Sequence, residues 1–118
     1  MPAHAADGEF SESGNDFLRY CSSVEKDEVI DLMEVTRGMH CMGYIEGLSA
    51  GIDEEIAFAT EKGYPAPMPF CIPDGVEVKQ SVVIVLKYIR DHPEKAHVRL
   101  STLATAALQK AFPCSVKK

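Results

Sequence analysis

The sequence predicts an all-α fold: a small four-helix bundle with short turns, stapled by two disulfides. Three observations favour this fold. Apolar residues recur at helical intervals in four segments, clusters of glycine and proline separate these segments, and the four cysteines are even in number and widely spaced. The 118 residues suffice for one domain with one modest core, and no apolar run is long enough to span a membrane.

The N-terminal segment indicates an exported protein. Ala3-His4-Ala5 followed by Ala6 is typical of the small-residue site that a signal peptidase cleaves. We therefore expect residues 1–14 to be the mobile N-terminus of the mature protein after signal-peptide removal, and residues 15–118 to form a single helical domain.

The first helix is expected to be short. Asn15 or Asp16 can cap it, and Phe17, Leu18 and Cys21 then share roughly one face. The polar residues 22–27 that follow are predicted to form a loop.

The second helix is predicted to be long. Val29, Ile30, Met33, Arg37 and Cys41 fall at helical intervals, and Gly38 is a candidate position for a bend.

A glycine stripe continues this helix: Gly43, Gly47 and Gly51 recur every four residues and share one face. Each glycine costs about 1 kcal/mol relative to alanine in a helix interior. The stripe therefore predicts that another backbone packs closely against it, which we prefer to a ligand site.

Turn and helix signals alternate in the second half of the chain. Three prolines between Gly63 and Pro69 exclude helix there, and the Asp74-Gly75 turn leads into a third helix that stops before His92-Pro93. The fourth helix is expected to be capped by Ser101 or Thr102, with Leu100 just outside the cap, and to end at Pro113. Apolar residues at core spacing support both helices: Val78, Val82, Val85, Leu86 and Ile89 in the third, and Leu103, Ala104, Ala107, Leu108 and Ala111 in the fourth.

The short connection between the last two helices selects a disulfide pairing. A connection of about eight residues favours an antiparallel hairpin, which returns Cys114 toward Cys71. Cys21 is then left to pair with Cys41. On the loop-entropy model each closure contributes on the order of 3 to 4 kcal/mol, as an upper guide. The alternative is a cytosolic protein with four buried thiols.

The charges are unevenly distributed along the chain. Residues 1–61 carry 14 acidic and 3 basic side chains, whereas residues 62–118 carry 4 acidic and 9 basic ones. The acidic half either attracts a basic partner or is simply a solvated surface, and the sequence leaves both open. The basic residues are scattered and not interleaved with aromatic residues, which argues against nucleic-acid binding.

No arrangement of residues predicts catalysis, so we expect a protein that is not an enzyme and holds no cofactor or metal. Neighbours in a helix point in different directions, so His40 and Cys41 do not form a nucleophile and base pair. His92, Glu94 and His97 are either metal ligands or, as we prefer, exposed or capping residues. The carboxylates at 53–55 are predicted to be a solvated helix face, and no phosphate or dinucleotide motif is present.

Four unusual segments occur in order along the chain: CMGYIEG (41–47), FCIP (70–73), VVIVLKYIRDHPEK (82–95) and AALQKAFPC (106–114). They contain a cysteine just before a glycine-tyrosine pair, a phenylalanine-cysteine-x-proline step, a helix that ends in histidine-proline, and a closing phenylalanine-proline-cysteine. Together they resemble the Rap/Tai family of type VI secretion immunity proteins, over most of the chain after Asn15.

The resemblance implies a periplasmic helical protein that binds and blocks a peptidoglycan amidase delivered by neighbouring or sibling bacteria. It also implies a homodimer that presents a loop to the active-site cleft of this effector. We assign the partner-binding role to the loop between the third and fourth helices, with these candidate contacts: Asp91, His92, Glu94, Lys95 and His97.

The sequence is also compatible with a second functional class, a periplasmic protein that responds to acid. The chain has 18 carboxylates, so acidification would shift its net charge strongly toward positive values. A general periplasmic binding protein or an acid-stress chaperone, without a toxin partner, is therefore the alternative.

Overall fold

The computed structural model describes residues 13–26 and 31–114. These residues form four α-helices and no strand, which confirms the all-α class. The helices are α1 (Gly14–Cys21), α2 (Leu32–Glu61), α3 (Val78–Asp91) and α4 (Leu100–Ala111), and short 3-10 helices lie at Ser22–Glu25 and Pro93–Lys95. None of the helices in the described residues is both long and apolar enough to cross a membrane.

The predicted cap of α1 at Asn15 or Asp16 is wrong, because α1 begins at Gly14 and the cap is Ser13. The hydroxyl of Ser13 caps it by accepting a hydrogen bond from the amide of Asp16 at 3.3 Å. Of the segment expected to be mobile, residues 1–12 lie outside the described residues, while Ser13 and Gly14 already belong to the helical domain.

The loop predicted over residues 22–27 is wrong for its first part. Residues Ser22–Glu25 form a 3-10 turn instead, and residue 27 lies outside the described residues. Val24 is buried in this turn, and burial of its side chain favours a tight turn over an open loop.

Helix α2 runs for 30 residues and passes through Gly38 without a break. Asp31 caps it, since its carboxylate accepts a hydrogen bond from the amide of Met33 at 3.1 Å. Val29 and Ile30 lie outside the described residues. Met33 and Arg37 share helical spacing with the buried Cys41, yet both are exposed.

Helices α3 and α4 form most of the core. Helix α3 has the predicted bounds, but the predicted cap of α4 at Ser101 or Thr102 is wrong, because the helix begins at Leu100 and no side chain caps it. Leu100 was expected just outside the cap. It is instead the first residue of the helix, and its side chain is fully buried. The largest fully buried side chains of the hairpin are Val82, Val85, Leu86, Ile89, Leu100 and Leu108.

Both predicted disulfides are confirmed. Cys21 and Cys41 join α1 to α2 inside the core, and both are fully buried. Cys71 and Cys114 join the segment before α3 to the end of α4. Beside this second disulfide the amide of Cys71 donates to the carbonyl of Phe112 at 2.9 Å, so that the two chain segments are also paired through their backbones.

Candidate partner-binding surface

The candidate surface begins where α3 ends, at His92. The Nδ1 atom of His92 lies 2.8 Å from the carbonyl oxygen of Tyr88, and the two rings stack with centroids 4.2 Å apart. The next residue is Pro93, which cannot donate a backbone hydrogen bond to continue the helix. His92 thus closes the helix and is half-buried, in agreement with the capping role preferred for this histidine.

The loop after His92 is a compact turn. The amide of Lys95 donates to the carbonyl of His92 at 2.9 Å, and the amide of Val98 donates to the carbonyl of Lys95 at 2.9 Å. Ala96 is buried and fixes the middle of the loop to the core. The loop is therefore ordered by its own hydrogen bonds and by one buried methyl group.

The start of α1 holds the loop of residues 91–97, the braced loop, in place through backbone hydrogen bonds. The amide of Gly14 donates to the carbonyl of Val98 at 3.1 Å, the amide of Asn15 donates to the carbonyl of Ala96 at 2.8 Å, and Ser13 forms an isolated β-bridge with Arg99. These amides belong to the first turn of a helix, where no intrahelical acceptor is available to them. The loop carbonyls complete the hydrogen bonding of α1, and α1 in turn fixes the loop.

Side chains that project from the braced loop are mostly charged and exposed. Asp91, Glu94, Lys95 and His97 are all exposed. The structure thus brings four of the five candidate contacts together on one rigid loop, while His92 lies at its edge with its ring against Tyr88. Their role in binding a partner stays a prediction.

Asp91 is linked to the helix that precedes it. The ammonium group of Lys87 lies 2.9 Å from the Asp91 carboxylate. The hydrogen bond from Lys87, supported by the charges of Lys87, His92 and Lys110, holds the pKa of Asp91 below its usual value. Asp91 therefore stays charged to a lower pH than a free aspartate.

A groove extends from the loop along α3 and α4. It is open to solvent and has a volume of about 460 Å³. Apolar and charged side chains both line it; the lining residues are Ile84, Lys87, Tyr88, Asp91, His92, Ala107, Lys110 and Ala111. An extended partner that contacts the loop has here a continuous concave surface on which to lie.

The glycine stripe lies on the solvent side of α2. A Cβ atom built on Gly43, Gly47 or Gly51 meets no atom within 4 Å. Nothing among the described residues packs against this stripe, so they do not supply the close backbone that the glycines predict. Exposed apolar side chains share this part of the molecule: Leu32, Met33, Val35, Met39 and Phe58.

The histidine, cysteine and carboxylate residues considered above as catalytic or metal-binding candidates have other surroundings in the structure. Cys41 is in a disulfide and has no thiol to offer to His40, whose Nδ1 atom lies 3.2 Å from the hydroxyl of Tyr20. The described residues contain no group of three or more potential metal-ligating side chains. Asp53, Glu54 and Glu55 are exposed, as expected of a solvated helix face.

Sequence reasoning missed two parts of the surface. Lys87, Tyr88 and Lys110 line the groove, and none of them was among the candidate contacts. The exposed apolar side chains of α2 were missed because sequence spacing alone does not show which side of a long helix is left uncovered by the rest of the fold.

Comparison with known proteins adds the family. Neither the search of curated proteins nor the search of solved structures returned a match to this chain. A family model described as Rap1a immunity proteins matches residues 13–114, which include all four cysteines, all four helices and the braced loop. This match confirms the immunity family that the four segments resembled. The chain belongs to the Rap1a immunity proteins, a family that confers immunity to secreted toxins.

Proposed function

We propose that this protein is a periplasmic immunity protein that binds and inhibits a peptidoglycan amidase delivered by type VI secretion. The loop Asp91–His97 would contact the amidase, and the protein would act as a homodimer. Membership of the Rap1a immunity proteins supports the general role. Two disulfides support an oxidising compartment such as the periplasm, because structural disulfides are rare in the cytosol.

The observation that carries the assignment of the loop is its bracing. Amides of Gly14 and Asn15 and the buried Ala96 hold the backbone, so the projecting side chains are presented without help from a partner. A loop that is already ordered loses little conformational entropy when it binds, which leaves more of the contact energy as affinity. Inhibition by a protruding loop benefits from this property, since the loop must enter a cleft in one conformation.

The loop carries charges of both signs, which suits a polar enzyme cleft. Glu94 is an acceptor, Lys95 a donor, and His97 either, all within four residues of one another. Replacing a well-oriented side chain at the centre of an interface with alanine costs about 2 kcal/mol or more of binding free energy, whereas the same change at the rim costs little. Alanine substitution of these three residues therefore tests whether they lie at the centre of the interface.

The test is inhibition of peptidoglycan hydrolysis by candidate type VI amidases, with the dissociation constant measured by calorimetry. The triple variant Glu94→Ala, Lys95→Ala and His97→Ala is expected to lose at least about tenfold in affinity. The control is Asp74→Ala with Lys79→Ala, which removes one exposed charge of each sign outside the loop. Unchanged affinity of the triple variant would show that another surface binds the toxin, and failure of the oxidised protein to inhibit any amidase would contradict the proposed toxin class.

A further inference from the structure

A small pocket lies beside the last turn of α1, whereas the braced loop contacts the first turn of this helix. Its volume is about 190 Å³, and the residues that line it run from the end of α1 to the first turns of α2: Arg19, Tyr20, Ser22, Ser23, Lys26, Glu34 and Arg37. Pockets that hold whole small molecules usually measure about 300 to 1,000 Å³. This pocket therefore has room for one small chemical group.

The cations of this pocket are all the lysine and arginine residues of the acidic half of the chain. Residues 1–61 contain 14 acidic side chains and only Arg19, Lys26 and Arg37 as basic ones. The three belong to α1, to the segment after the 3-10 turn and to α2, so the fold brings them together. Cations that converge repel one another, and such clusters of arginine and lysine are typical of sites that bind phosphate or carboxylate groups.

Two carboxylates among the described residues neutralise part of this charge. Glu34 lies 2.6 Å from the ammonium group of Lys26, and Asp16 is paired with Arg19. Arg37 takes part in none of the ion pairs of the described residues. Three cations and two carboxylates leave one net positive charge, and Arg37 is the cation whose charge no described carboxylate balances.

The guanidinium group of Arg37 is oriented by an aromatic ring. Its central carbon lies over the ring of Tyr20, 5.2 Å from the centroid, and the Tyr20 hydroxyl lies 3.2 Å from Nδ1 of His40. Contact with a ring occupies one face of the guanidinium and leaves the N–H groups, which lie in its plane, available as donors. An anion at the pocket therefore meets donors that are already oriented.

A hydroxyl group at the pocket has no partner in the fold. The Oγ atom of Ser23 is buried and makes no hydrogen bond to any described residue. Buried polar groups in folded proteins are almost always hydrogen-bonded, so a buried hydroxyl of this kind indicates a bound group beside it. A serine hydroxyl can donate its proton to an oxygen of an anion.

We propose that this pocket binds a phosphate group, with Arg37, Lys26 and the Ser23 hydroxyl as donors. A phosphate ion or monoester offers at least three strong acceptor oxygens, against two for a carboxylate, which suits donors that come from separate segments. Lysine has three donors and can keep its bond to Glu34 while it contacts the phosphate. The inference does not depend on the proposed function, because the pocket shares no residue with the loop of residues 91–97.

The test is a titration of the full oxidised chain with inorganic phosphate, followed by NMR of the backbone amides and of the arginine Nε–H groups. Sodium chloride holds the ionic strength constant, so that general screening does not contribute. We expect saturable shifts at Ser23, Lys26 and Arg37, and weaker binding of acetate. The full chain is needed because Asp27 and Glu28, which follow Lys26 in sequence, lie outside the described residues.

Arg37→Gln is expected to lower the phosphate affinity by about tenfold or more, because it removes the charged donor that no carboxylate balances. The matched control is Arg99→Gln, which removes an exposed arginine outside the pocket and should leave the affinity unchanged. Ser23→Ala is expected to weaken phosphate binding but not to reduce stability to urea in phosphate-free buffer, since the hydroxyl has no partner in the fold. Circular dichroism checks that each variant keeps its helices.

A second experiment identifies the source of the phosphate group, which is either a free ion or a lipid headgroup. Wild type and Arg37→Gln are sedimented with phosphatidylcholine vesicles that contain phosphatidic acid, a phosphate monoester. Retention of the wild type alone assigns the headgroup, whereas equal or absent retention of the two proteins assigns soluble phosphate.

Three results would overturn the inference: no saturable shift with phosphate, equal phosphate affinity in Arg37→Gln and wild type, or acetate binding as tight as phosphate binding. Each of them leaves toxin binding by the loop untouched. Loss of toxin binding in the loop variant, in turn, has no bearing on phosphate binding at this pocket.

Discussion

Gly14 lies against Ala96 so closely that a Cβ atom on Gly14 would approach the carbonyl oxygen of Ala96 to 2.8 Å. The same Cβ would stand 2.6 Å from Cδ1 of Leu103 in α4. Helix α1 therefore begins with a residue that has no side chain, because its first turn touches the braced loop and α4 at once.

Gly14→Ala is expected to destabilise the protein by about 1 to 3 kcal/mol, the usual cost of forcing a methyl group into a filled space. The measurement is urea-induced unfolding of the oxidised protein. Gly38→Ala is the matched control, since its Cβ would make only an ordinary contact with Val24 at 3.5 Å. This control should be neutral or stabilising by up to about 1 kcal/mol, because alanine is the better helix former. Equal effects of the two substitutions would contradict the close contact at Gly14.

The two disulfides are expected to be reduced in a fixed order. Cys21 and Cys41 are fully buried, whereas Cys71 is exposed and Cys114 is half-buried. A thiolate must reach a sulfur atom to exchange with it, so mild reductant in native buffer should open Cys71–Cys114 first. Alkylation followed by mass spectrometry reads the order directly. In denaturant both pairs are accessible and the difference should disappear; early labelling of Cys21 in native buffer would refute the prediction.

Asp91 is expected to titrate below its usual range, and Lys87→Ala is expected to raise its pKa. The charged carboxylate accepts the hydrogen bond from the Lys87 ammonium group more strongly than the neutral carboxyl does, so this interaction favours the ionised form. Because the folded-state pKa is depressed, the stabilising contribution is present at neutral pH and is lost as the pH falls through that pKa. Carbon-detected NMR titration of both proteins provides the measurement, with Asp74 as an internal reference outside the loop. An unchanged Asp91 pKa in Lys87→Ala would show that the ion pair does not set it.

The parts of the fold that local signals define were predictable from sequence. The Asp74-Gly75 turn and the His92-Pro93 step bound α3 on both sides, and the helical spacing of apolar residues between them is unambiguous. The disulfide pairing followed from the antiparallel hairpin alone, because only one pairing joins the two ends of such a hairpin. These features depend on residues close in sequence or on simple chain geometry.

Other parts depend on contacts between distant segments and left no local signal. The bracing of the loop uses backbone amides at Gly14 and Asn15, and a backbone donor has no sequence signature. Leu100 begins α4 because it is buried against the other helices, which outweighs the better capping residues that follow it. The candidate loop was found through family resemblance, whereas the groove beside it required the packing of α3 on α4.

The way in which the loop is held has a consequence for how such a protein diversifies. Its conformation depends on backbone hydrogen bonds and on the buried methyl group of Ala96, and not on the side chains at positions 94, 95 and 97. Substitution at these three positions is therefore expected to leave the shape of the loop and the stability of the bundle unchanged. Under the proposed function, a change in the toxin's cleft could then be matched by mutation at three positions that carry almost no folding penalty.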